Sequence, residues 1–124
     1  MDNTSNEEKL ESIKSFQSSI RKSEKALAQM TEKGTNTTLL SKRLKALQIG
    51  LAVLEKVWSL RPYEYTKEDL AEARDTLMDL LPTIEKIYAK SKVGSPQKTL
   101  LERRIMSLKL SVQAIEDVTC EELK

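Results

Sequence analysis

The chain of 124 residues contains no histidine and only one cysteine, Cys120. Histidine is the usual general base near neutral pH and the commonest zinc ligand, so its absence removes most acid–base and metal-centred chemistry. It also removes the Glu-x-x-His pairs with which helical bundles hold two metals. One cysteine closes no internal disulfide, and without a histidine or a CxxC pair it makes no recognisable nucleophilic or metal site. Cys120 reads as a residue of the last helical turn, and the chain as a protein of a reducing compartment, the cytoplasm. Glycine and proline number three each, too few for a strand-rich fold with many tight turns. No glycine-rich phosphate loop exists; Gly94, Ser95 and Pro96 read as one helix stopping and the next starting. Aromatics make up 4% of the chain, so aliphatic side chains must build the core. No apolar run approaches the roughly 20 residues that span a bilayer. The first residues, MDNTSNEEK, lack the basic-then-apolar layout of a secretory signal. No enzyme, cofactor or metal is expected.

What the chain does have is charge, 32% of its residues, and a helical period in four segments. In helix one, about 7–33, Ile13, Phe16, Ile20, Ser23, Leu27 and Met30 recur in steps of three and four and share a face. Ser5 and Glu8 have the spacing of a capping box, and Gly34 supplies the stop. In helix two, about 38–60, Leu40, Leu44, Leu47, Leu51, Leu54 and Trp58 form the seam, widened by Leu39, Ala46, Val53 and Leu60. Helix three, 67–92, follows Thr66 and Asp69 and carries Leu70, Ala73, Leu77, Leu80, Ile84 and Ile87. Pro82 inside it has no amide hydrogen for Met78, which predicts a kinked continuous helix or, failing that, a break. Helix four begins at Pro96 and carries Leu101, Ile105, Leu108, Val112 and Ile115 to about 121. Helix one, with Ser23 where its companions place larger side chains, is expected to be the least stable. Its amide exchange should be fast to about residue 12 and slow toward Leu27.

Residues 38–57 are echoed sixty-one residues on by 99–118, with seven of twenty positions identical, among them Thr38/Thr99, Arg43/Arg104, Leu47/Leu108 and Glu55/Glu116. Ser5, Glu7 and Glu8 stand in the same register to Thr66, Glu68 and Asp69. A tandem duplication of one helical hairpin explains polar matches that a shared leucine period does not. With short links between long amphipathic helices, the expected fold is all-α: an antiparallel up-down-up-down four-helix bundle of two duplicated hairpins, 5–60 and 66–121. It forms a single domain, 5–121, with 1–4 and 122–124 expected to be disordered.

That topology sorts the charges by end. Thirteen cations, including Lys22, Lys42, Arg43, Lys90, Lys92, Arg103 and Arg104, meet four acids at one end, leaving +9 there and −7 elsewhere in a chain of net +2. Helix dipoles favour cations at the C-termini of helices one and three, but Lys42, Arg43, Arg103 and Arg104 crowd helix N-termini, where the dipole disfavours them. Lys42, Arg43, Lys90, Lys92, Arg103 and Arg104 are therefore the candidate anion or partner site, against the alternative of an idle solvated pattern. Ile49, Val53, Leu60 and Leu110 form a candidate apolar patch for a partner helix, against the alternative that they are buried in the bundle. Glu55 and Glu116 lie beside the core face and are read as surface residues, and Trp58 as a plug at the acidic end.

The resulting expectation is a non-enzymatic helical interaction module, an adaptor, regulator or small inhibitor of another protein. Binding of nucleic acid or another polyanion by the basic end is the second reading. Against it stand the modest net charge and the absence of aromatics among the cations.

Overall fold

The computed structural model describes residues 5–34 and 36–122, with side chains followed as far as Thr119. Four helices carry the fold: α1 (Asn6–Glu32), α2 (Thr38–Ser59), α3 (Lys67–Lys90) and α4 (Pro96–Glu122), with no strand among the described residues. Residues 1–4, 123 and 124 lie outside that description, and with them the expected disordered termini apart from Glu122, which ends α4. The side chain of Cys120 also lies outside the description.

The helix ends are set by local chemistry. Ser5 Oγ accepts the Glu8 amide at 3.1 Å, while the Glu8 carboxylate takes the Ser5 hydroxyl at 3.0 Å, so only the forward half of the expected capping box is made. At α3 the box is complete: Thr66 Oγ1 accepts the Asp69 amide and Asp69 Oδ2 accepts the Thr66 amide. Gly34 follows α1 at φ +73°, where a Cβ would be strained. Ser95 Oγ accepts the Lys98 amide and opens α4 ahead of Pro96. α3 runs through Pro82 as one continuous helix.

α1 packs on α2 and α4, α3 packs on the same two, and α2 and α4 pack on each other; the backbones of α1 and α3 do not approach closely among the described residues. α2 therefore meets three helices, and a single seam does not suffice. Leu44, Ala46, Leu47, Ile49, Gly50, Val53 and Leu54 are all buried. This corrects the apolar-patch reading. Ile49 and Val53, at 1% and 0% exposure, are core residues and offer a partner nothing. Leu110 is half-buried. Leu60 is 86% exposed but lies beyond the end of α2, as its left-handed C-cap at φ 57°. The four do not form one surface.

At the centre Gly50 allows close approach. A Cβ there would come within 2.6 Å of Ser111 Oγ, 3.0 Å of Phe16 Cε1 and 3.2 Å of Leu77 Cδ1. Gly50 and Ser111 are sixty-one residues apart, and so are Phe16 and Leu77. Trp58, in the last turn of α2, and Tyr63 and Tyr65, in the α2–α3 link, pack on the core, with Lys9 Nζ 5.8 Å from the Trp58 ring. Burial thins toward the C-terminal parts of α1 and α3: Ser23, Leu27 and Ile84 are half-buried and Ile87 is exposed.

Candidate functional site

The six cations of the candidate site do not act as one group. Lys42 lines a crevice between α2 and α3 with Lys45, Asp69 and Glu72. There Lys45 Nζ pairs with Asp69 Oδ1 at 3.2 Å. The Asp69 carboxyl is held below the ordinary carboxylate range, first by the Thr66 amide and then by the Lys45 ammonium. Arg103 reaches across to Glu11 on α1 at 3.3 Å. Lys90 and Lys92 are exposed and line none of these crevices.

Arg43 and Arg104 do come together. They line a cleft of about 270 Å³ to which all four helices contribute. Its apolar floor is Phe16, Leu40, Leu47, Leu80, Ile84 and Leu108; its polar lining is Ser19, Ser23, Ser107, Lys22, Arg43 and Arg104. None of the last three cations forms an ion pair among the described residues, whereas Lys45, Arg61, Arg74 and Arg103 all do. Arg104 Nε is buried and finds no acceptor among the described residues. Such an orphan donor keeps its desolvation cost, of order 1–3 kcal/mol or more for a charged group. A second groove, sharing Lys22 and Arg104 and lined also by Glu11, Lys14, Ser15, Ser18, Leu100 and Arg103, adjoins the cleft along α1 and α4. Between them Ser107 Oγ donates to the Arg104 carbonyl at 2.8 Å.

The cleft is lined by residues sixty-one positions apart. Arg43 faces it with Arg104, and Leu47 with Leu108. The register breaks at two places: Ser19 stands where α3 has Leu80, and Ser23 where α3 has Ile84. Two hydroxymethyl groups in place of two branched aliphatics leave room beside the floor.

Sequence reasoning picked out Arg43, Arg103, Arg104 and the oddity of Ser23, but not Lys22 or Ser19 as site residues. The sixty-one-residue register, applied to the first helix as well as the second, carries the signal: it sets Ser19 against Leu80. Glu55 and Glu116, read as surface residues, are both engaged, Glu55 by Arg61 at 3.1 Å and Glu116 by Arg74 at 2.8 Å. Among the described residues no cluster of three carboxylates or cysteines is arranged to hold a metal. No helix is long and apolar enough to cross a membrane. No family model, curated protein or solved structure matches this chain.

Proposed function

We propose that the protein is a non-enzymatic binding module that engages an acidic segment of another protein at the cleft between Lys22, Arg43 and Arg104. One observation carries the reading: three cations from three helices border an apolar opening, and among the described residues none of them is in an ion pair. Carboxylates of a partner supply what the fold lacks, and Arg binds them in a bidentate fork. The same reading takes the helices as alternating in direction and the hairpins as tandem copies. Its supports are Lys9 beside Trp58, Tyr88 beside Lys98, and the meeting of Gly50 with Ser111. With a single cysteine, the module is assigned to the cytoplasm.

Nucleic acid is the weaker partner. Lys45 and Arg103 are engaged by acids, and the rest are split, with Lys22, Arg43 and Arg104 about one opening and Lys42, Lys90 and Lys92 away from it, so they supply less of a continuous path for a phosphate backbone. The test compares the parent with Arg43→Glu/Arg104→Glu as bait in cell extract, at low and moderate salt. Proteins retained by the parent should be lost from the variant, with retention falling as salt rises. A partner bound equally by both would refute the proposal, and a mobility shift with nucleic acid abolished by the double reversal would favour the second reading.

A further inference from the structure

We infer that the cleft is also a ligand site for a small amphiphilic carboxylate, an acid carrying an aromatic ring or a short acyl chain. This rests on reading the cleft as the binding site, and not on the partner being a protein.

Shape comes first. The cleft exists because Ser19 and Ser23 replace the larger residues that α3 carries in the same register, Leu80 and Ile84. An engineered apolar cavity of about 150 Å³ holds benzene, so 270 Å³ takes a substituted ring or a short chain, not a long one. Polarity comes second. Arg104, Arg43 and Lys22 all line the cleft and none is in an ion pair among the described residues, so an anion seated there lies among three unneutralised cations. Charge comes third. Six apolar side chains form the floor, and desolvating a dianion against them costs more than desolvating a monoanion, which favours a carboxylate over a phosphate monoester.

The experiment is a titration of the isotope-labelled full chain with phenylbutyrate, phenylbutyramide and inorganic phosphate, followed by amide NMR shifts. Phenylbutyrate should saturate, with the shifts centred on Ser23, Arg43, Arg104 and Leu108. The neutral amide should bind about tenfold more weakly, the size of one charge-assisted contact, and phosphate should not compete. Ser19→Leu/Ser23→Ile restores the α3 residues and keeps every cation; it should melt higher than the parent and lose the acid. Arg43→Gln/Arg104→Gln keeps the floor and should bind acid and amide alike. Equal binding of acid and amide by the parent overturns the inference, as does undiminished binding by the filled variant. The filled variant leaves the cations in place, so it should still retain an acidic protein partner, and loss of the small acid is thereby read separately from loss of the partner.

Discussion

Ser111 Oγ and Ser12 Oγ are fully buried without a hydrogen-bond partner among the described residues, and Ser111 lies against Gly50. Glycine inside a helix costs about 1 kcal/mol relative to alanine, yet here a Cβ has no room on three sides. Gly50→Ala should therefore lower the melting temperature, with overpacking of roughly 1–3 kcal/mol exceeding the propensity gain. Ser111→Ala removes an unsatisfied hydroxyl and should raise it, and the double variant should melt above the value expected from adding the two effects, because the closest clash is gone. Strict additivity in the melts would show that the two positions do not touch. Leu60, the only described non-glycine residue at positive φ, should gain up to about 1 kcal/mol on change to glycine, read as an upward shift in the denaturation midpoint. Asp69 sets the acid response of α3. Its depressed folded pKa means that its stabilisation is present above the unfolded value, near 4, and is lost as pH falls through the lower folded one. An NMR titration should place its midpoint below about 4. Lys45→Met should raise that midpoint only part of the way back, since the Thr66 amide is the larger cause.

At the scale of elements, periodicity located all four helices to within about two residues, because caps and stops are local chemistry. It did less well on which side of a helix is buried. The four-three spacing in α2 identified Leu44, Leu47 and Leu54, but left open whether Ile49 and Val53 face a partner or, as the structure has them, the core. That depends on α2 meeting three helices rather than one, a property of the assembly and not of the period. α1 shows the reverse case. Ser23 was legible as a weak point, while Ser12, Ser15 and Ser19 on the same helix gain meaning only from their neighbours across the bundle: the Ser15 and Ser107 hydroxyls lie 3.5 Å apart, and Ser19 borders the cleft. The buried residues of α1 are Ser12 and Phe16, with Leu27 only half-buried, so amide protection should peak near Phe16 and fall toward both ends of the helix. Hydrogen exchange that slows steadily as far as Leu27 would contradict this. Pro82 is exposed and leaves Met78 without its helical donor, so Pro82→Ala should stabilise α3, seen as slower exchange on either side of position 82.

For the whole molecule, the charge sorting by end holds only in part. Arg103 pairs with Glu11 and Lys45 with Asp69, so acids assigned to the opposite end lie within reach of cations at the basic end. Of the cations without an ion pair among the described residues, Lys22, Arg43 and Arg104 line the cleft while Lys90 and Lys92 stand apart from it, a distinction that linear sequence does not carry. The core is shared across the halves: Phe16, Leu47 and Leu54 of the first belong to one cluster with Leu77, Leu108 and Ile115 of the second. A core built that way predicts a single cooperative unfolding transition rather than one per hairpin. Leu47→Ala and Leu108→Ala sit at matching positions, 7% and 2% exposed, and both line the cleft. Each should cost roughly 2–5 kcal/mol, with the lower end expected because part of the surface of each side chain already faces open space. In chemical denaturation both should move the midpoint of the whole transition while leaving its slope unchanged. A biphasic curve in either variant, with the unmutated half unfolding at the parent's midpoint, would show two independent hairpins and remove the shared core on which the cleft is built.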